Sequence, residues 1–321
     1  MKFLVILLAL IINHYWTRDR DVLNDQWFVR FQSWLAQRIS GLPEHLAQSP
    51  WLYPLLVLAL PSLSLGLLLL LIDGVALGLV TLLVHVAVLL ALFDHVNVNG
   101  LTARYLESWR RGDYESAFLL LQERWHQVSL DNCDDRSKLH EEFCRFLLSS
   151  FFERLFAVLF WYLLLGPVGA LFYHLGFLYR NRVSGHSSVE VSELVLRLVY
   201  LLEWVPARLL GLTFSLAGDF VAAFARLRVV VLDLDRSAVS VVYACALAAL
   251  GAPQRTLLVR EETSDRGEAT TVLIDAENTL DEAAFGPYAG QQVEALLALL
   301  NRSQVIWVSA LALLALYGID S

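Results

Sequence analysis

Two uncharged apolar runs dominate the chain. Residues 52–72 and 75–93 contain no Asp, Glu, Lys or Arg. Each matches the roughly 20 residues that a helix needs to cross a hydrocarbon core of about 30 Å. Asp73-Gly74 lies between them, which predicts a transmembrane helical hairpin. A shorter run, residues 3–12, follows Lys2 and is closed by Asn13, His14, Tyr15 and Trp16. No small-x-small cleavage pattern follows it, and Tyr15 and Trp16 read as interface residues, so it is expected to be an uncleaved first helix. A last apolar run spans residues 305–317, after Arg302.

Arginines orient these runs by their excess on the cytoplasmic side. Arg18, Arg20, Arg30 and Arg38 follow the first run, and Arg104, Arg110, Arg111 and Arg124 follow the third. No basic residue occurs at Asp73-Gly74 or after residue 317. The pattern predicts a multi-pass bacterial inner-membrane protein with both termini periplasmic.

Residues 151–179 form an apolar stretch too long for one upright span and short for two. Gly166-Pro167-Val168-Gly169 sits at its centre, Arg154 lies near one end, and Arg180 and Arg182 lie beyond the other. Proline removes a helix donor and disfavours helix just before it. Basic residues at both ends favour a short helical hairpin returning to the same side. The alternative is one tilted span here, paired with a second over residues 194–216.

The intervening segments are more polar. In residues 17–50, Trp27, Phe31, Trp34 and Leu35 recur at helical spacing. They predict either an amphipathic helix at the membrane interface or a helix packed on the rest of the protein. Asp113 can cap a helix running through Trp125, and Ser137 with Glu141 and Glu142 opens a helix reaching residue 151. Ser187-x-x-Glu190 is a capping-box pattern opening a helix over residues 189–202. Gly218-Asp219 stops one helix and starts the next. Residues 225–302 predict helices joined by a loop, since 229–232 and 271–274 are β-branched but too short to compel a sheet.

The expected fold class is therefore all-α: a polytopic helical membrane protein with cytoplasmic helical segments. Its divisions are a first membrane helix (1–16), an amphipathic segment (17–50), a transmembrane hairpin (51–93) and a cytoplasmic helical region (94–150). A helical core with a membrane hairpin (151–219), a second cytoplasmic region with a loop (220–302) and a last membrane helix (303–321) complete them.

Composition removes several function classes. A net charge of −8 argues against nucleic acid, whose binders need a basic face to displace counterions. The only lysines are Lys2 and Lys138, so no P-loop is present, and neither G-x-S-x-G nor H-E-x-x-H occurs. Cys133, Cys144 and Cys245 follow no C-x-x-C spacing and read as free thiols. His85 has no second ligand four residues on, which argues against a metal site there, and His174 reads as a core histidine. The run from Asp94 to Asn99 reads as a polar close to the third apolar run. Gly74-x-x-x-Gly78 suits either close helix approach or a plain turn. No internal repeat of spans suggests a transporter.

The most unusual local sequence is Glu203-Trp204-Val205-Pro206-Ala207-Arg208-Leu209, followed by Leu216-Ala217-Gly218-Asp219. A carboxylate and a guanidinium five residues apart in an apolar helix usually pair, serve as hydrogen-bonded anchors or line a polar cavity. Pro206 frees the carbonyl four residues back, which can then bind a ligand or a side chain. Glu153 and Arg154 either snorkel to the interface or face the same cavity.

This segment resembles the acidic-Trp-Ile-Pro-x-Arg-Leu motif of the CobD/CbiB membrane synthases, which make adenosylcobinamide phosphate. Residues 157–161 (Ala-Val-Leu-Phe-Trp), followed by Gly166-Pro167-x-Gly169-Ala170-Leu171, resemble a second segment of that family, and Gly112-Asp113 a third. The acidic cluster those synthases carry before the second segment is replaced here by Ser149-Ser150-Phe151-Phe152-Glu153-Arg154. Their Asn-Thr-Leu-Asp-Ser segment is replaced by residues 175–180, Leu-Gly-Phe-Leu-Tyr-Arg. The Glu-Arg-Leu-Phe-Ala-Val-Leu-Phe-Trp version, the Trp-Val-Pro-Ala-Arg helix and the single last span are similar to the AmpE branch. That branch comprises inner-membrane proteins associated with regulation of β-lactamase induction and encoded beside an amidase that degrades anhydro-muropeptides.

The resemblance implies a non-catalytic membrane regulator. Membrane lipid would surround it, and a cytoplasmic or membrane protein of cell-wall recycling would be its partner; self-association stays open. It implies ligand-binding roles for Glu153, Arg154, Trp161, Glu203, Trp204 and Arg208, and names no cofactor or catalytic residue. The alternative is a diverged ATP-dependent amide-forming enzyme of the CobD/CbiB type. The missing acidic cluster favours the regulator, because phosphoryl chemistry generally needs carboxylates to hold Mg²⁺.

Overall fold

A computed structural model of the protein describes residues 2–16, 26–39, 52–72, 78–93, 98–124, 136–186, 189–231, 233, 236–251 and 282–317. Every regular element among them is helical. In chain order these are α1 (Lys2–Trp16), α2 (Gln26–Ile39), α3 (Leu52–Ile72), α4 (Leu79–Leu92), α5 (Val98–Arg110) and α6 (Tyr114–Arg124). Then follow α7 (Arg136–Phe151), a π-helical turn (Phe152–Phe156), α8 (Ala157–His186), α9 (Val189–Ala217), α10 (Phe220–Val230), α11 (Ala238–Ala249) and α12 (Glu282–Leu316). The Asp73-Gly74 turn, Asp94 to Asn97, Trp125, Cys133, the Ser187 cap and residues 260–274 lie outside the described residues.

The chain divides into two compact units. One comprises Met1–Asn97, Ser150–Ala207 and Val308–Ser321, and the other Val98–Ser149 and Arg208–Trp307. Three helical stretches are long and apolar enough to cross a membrane: Tyr53–Ile72, Arg136–Asn181 and Ala289–Leu316. Helix α3 shows why hydrocarbon suits it. Val57 and Leu58 are buried, while Leu63, Leu67, Leu70 and Leu71 stand 61–76% exposed. A helix apolar on all sides belongs in lipid rather than in water.

The second stretch does not run straight. Gly166 adopts φ 69° and ψ −161°, a backbone region essentially reserved for glycine. Pro167 follows it and supplies no donor. The chain folds back here so sharply that a Cβ on Gly169 would lie 3.0 Å from the Trp161 carbonyl oxygen. Glu153 and Arg180 are then 2.7 Å apart, although they would be about 40 Å apart along a straight helix. Of the two arrangements the sequence leaves open, the structure has the helical hairpin. Each arm between those residues and Gly166 is about 20 Å long, short of a full crossing. Its tip exposes Leu164 and Leu165.

The other helices of this unit pack along the hairpin in register. The Tyr53 and Tyr179 rings lie 6.4 Å apart, near the start of α3 and the open end of the hairpin. Gly66, further along α3, would bring a Cβ within 3.5 Å of Val168 near the tip. On α4, His85 Nδ1 lies 3.0 Å from the Tyr162 hydroxyl. On α1, the Lys2 ammonium donates to the Leu163 carbonyl at 3.3 Å. That carbonyl is the one Pro167 leaves without its helical donor, four residues back.

Helix α2 packs through Phe28 and Leu35 into a core with Val57, Leu58, Leu175 and Phe177. Of the four residues at helical spacing, Leu35 is buried and Phe31 packs against this core, while Phe28, which the spacing omits, is buried with them. Trp27 and Trp34 are exposed.

In the other unit, the Tyr105 and Phe143 rings stack 3.5 Å apart, and Tyr105, Cys144 and Gln292 surround the buried His140. Asp113 Oδ1 accepts from the Ser116 amide and caps α6, as its sequence position predicts. The Ser116 hydrogen bonds hold the Asp113 carboxyl below the usual carboxylate range. Cys144 and Cys245 are free thiols, both buried. Two helix boundaries differ from expectation. Helix α9 continues past residue 202 through Pro206 to Ala217. Helix α12 is one unbroken helix of 35 residues, so no boundary falls near Arg302.

The hairpin bend rests on a conformation rather than on space, since nothing lies within 4 Å of a Cβ built at Gly166. Gly166→Ala is predicted to destabilise the protein by about 1–3 kcal/mol through backbone strain alone. Gly66→Ala, which makes only ordinary contact with Val168, should leave stability nearly unchanged. Thermal unfolding of both variants in one detergent checks the difference.

Candidate functional site

Glu203 is a deeply buried charge. It sits on α9 among apolar residues, with its side chain only 4% exposed. A carboxylate in such surroundings needs a cation and full hydrogen bonding. It obtains both from the returning arm of the hairpin. Arg180 Nη1 donates to Glu203 Oε1 and Oε2, each at 2.8 Å. The Tyr173 hydroxyl donates to Glu203 Oε1 at 3.1 Å.

The same guanidinium serves a second carboxylate. Arg180 Nη2 donates to Glu153 Oε1 at 2.7 Å, and the Glu153 side chain is 14% exposed. Glu153 and Arg154 lie in the π-helical turn. Such single wide turns recur at functional sites. Tyr173, Phe177 and Arg180 fall at i, i+4 and i+7, one face of the returning arm. The Phe177 ring centre lies 5.5 Å from the guanidinium of Arg180 and 5.9 Å from that of Arg154. Glu153, Arg154, Arg180 and Glu203 thus form a charge-balanced set at the open end of the hairpin.

Pro206 contributes through what it omits. Its missing N–H leaves the Leu202 carbonyl without a helical donor. The Trp161 indole Nε1, on the outgoing arm, donates to that carbonyl at 3.2 Å. So Trp161, placed near the site by sequence, acts here as a clasp between the hairpin and α9. Trp204 is half-buried on α9. Two residues of the cluster, Tyr173 and Arg180, carry no sequence motif that marks them as site residues. Their signal was the need of Glu203 for a cation, which nothing near it in sequence identifies with Arg180.

Glu203 therefore pairs with Arg180 and Tyr173, not with Arg208. Arg208 is itself buried and donates to main-chain carbonyls: Nη2 to Asp233 at 2.8 Å and Nε to Val231 at 3.4 Å. These carbonyls follow the last turn of α10, where a cation also complements the helix dipole. The Gly218-Asp219 pair is structural in the same unit. A Cβ on Gly218 would fall 2.4 Å from the Ala249 carbonyl oxygen. The Asp219 amide donates to that oxygen at 2.8 Å, and its side chain caps α10 through the Ala222 amide. His174 is buried 6.1 Å from the Phe177 ring, ring centre to ring centre.

The family model for regulatory signalling modulator protein AmpE matches residues 15–260. The chain belongs to this family, and it is a membrane protein with a regulatory assignment. No curated protein and no solved structure matches it.

The shared guanidinium makes the cluster vulnerable at one point. Arg180→Ala is predicted to destabilise the protein by about 3–5 kcal/mol, because it strands the buried Glu203 carboxylate and the half-buried Glu153. Arg180→Lys should fall between this variant and wild type, since it keeps the charge but loses the fork that serves both partners. Trp161→Phe should cost about 1–3 kcal/mol by exposing the Leu202 carbonyl deficit. Chemical unfolding of the purified variants in mixed micelles orders them.

Proposed function

We propose that this AmpE-family protein is a multi-pass inner-membrane regulator linked to β-lactamase induction and peptidoglycan recycling. Its signal-receiving element is the charged set at the open end of the helical hairpin. The supporting observation is the single guanidinium of Arg180 held by two carboxylates from different elements, Glu153 and Glu203. A ligand or partner that draws off either carboxylate changes what holds the hairpin to α9. Arg154, whose guanidinium lies 5.9 Å from the buried Phe177 ring that Arg180 also approaches, offers a second cation for such a contact. In this reading Glu153, Arg154, Trp161, Glu203 and Trp204 form or frame the responsive site, and Arg208 stabilises the helices beyond it. The partner is a cytoplasmic or membrane protein of cell-wall recycling.

The alternative is the amide-forming membrane enzyme implied by the CobD/CbiB resemblance. The engagement of both carboxylates by Arg180 favours the regulator, because neither is free to hold a metal-bound nucleotide.

Gene deletion with complementation tests the reading. Loss of the gene is predicted to shift the dose–response of β-lactamase induction, and the wild-type gene to restore it. Glu203→Gln, present in the membrane at equal level, should fail to restore it. An induction curve unchanged by deletion would sink the regulatory reading. Mg²⁺-dependent ATP hydrolysis by the purified protein, lost in Glu203→Gln, would instead establish the enzyme.

A further inference from the structure

Helix α2 carries two apolar surfaces, and the protein's own core covers only one. Phe28 and Leu35 are buried, yet Trp27 and Trp34 remain 48% and 47% exposed. At 100° per residue, Trp27, Trp34 and Arg38 fall together on one flank of the buried stripe, and Arg30 falls at its outer edge. The flank is ordered by its own contacts. The Trp27 ring meets the Phe28 ring edge-on at 5.6 Å, and the Trp34 ring stacks with Phe31 at 6.2 Å. The Arg38 guanidinium lies 5.6 Å from the centre of the Trp34 ring. Arg30 and Arg38 are exposed, and α2 contains no Asp or Glu to oppose them. A basic, tryptophan-bearing flank suits the boundary between headgroups and acyl chains, where an indole has one wet and one apolar side.

We propose that this flank of α2 is a binding site for anionic phospholipid. Trp27 and Trp34 sit at the acyl boundary, and Arg30 and Arg38 hold the phosphate or acidic headgroup. The occupant follows from charge complementarity and from continuity with α3, a span-length helix with exposed leucines against which α2 packs. The inference goes beyond the proposed function and does not depend on it.

Quenching of tryptophan fluorescence by acyl-brominated lipid tests it on the full chain in vesicles. Comparison with Trp27→Phe/Trp34→Phe isolates these two of the nine tryptophans. Brominated phosphatidylglycerol should quench their contribution more than brominated phosphatidylcholine at equal mole fraction. In Arg30→Gln/Arg38→Gln the preference should fall by roughly fivefold per arginine removed, whereas Arg30→Lys/Arg38→Lys should retain it. Equal quenching by both lipids would overturn the anionic site, as would a preference that survives the glutamine variant. No quenching of the two tryptophans by either lipid would overturn lipid contact altogether and point to a protein covering the flank.

Discussion

A carboxylate buried on an apolar helix cannot stand alone, and the arrangement around Glu203 follows from that constraint. Its cation, Arg180, comes from another helix, 23 residues earlier in the chain. Arg180 can also meet Glu153 only if the apolar stretch between them folds back. Folding back requires a sharp bend, which Gly166 supplies with a backbone conformation other residues avoid. Charge pairing at the open end and the glycine at the tip are two halves of one device.

Proline provides the complementary fastening. Pro167 and Pro206 each leave a carbonyl unsatisfied, and each carbonyl is taken by a side chain from another helix. Lys2 donates to Leu163 near the hairpin tip, and Trp161 donates to Leu202 on α9. A deficit in local helix bonding thus becomes a specific contact between helices. In hydrocarbon, where apolar packing alone discriminates poorly between neighbours, such polar contacts help fix which helices meet.

Part of this was legible in the sequence. The apolar runs predicted the helical class and α3, because their period and length are local properties. The Leu202 carbonyl could be identified as free from Pro206 alone, but not Trp161 as its donor, which lies 41 residues away. Arg180 was visible only as a basic residue marking one end of a run. Its pairing depends on the bend at Gly166, and a bend changes which distant residues are neighbours. Arg208 is a hydrogen-bonded anchor, one of the roles open to it, but its partners could not be named in advance. Its acceptors are main-chain carbonyls of Val231 and Asp233, and no side-chain pattern announces them. In α2 aromatics occupy adjacent flanks, so spacing alone does not say which flank is buried.

The regulatory proposal and the placement of the charged set both presuppose the folded-back hairpin. A spin-label distance between Leu155→Cys and Asn181→Cys in the reconstituted protein tests it directly. Adjacent antiparallel arms place the labels about 10–20 Å apart, allowing for interaxial spacing and label length. A straight helix through Gly166 would place them about 40 Å apart, and that result would contradict the account.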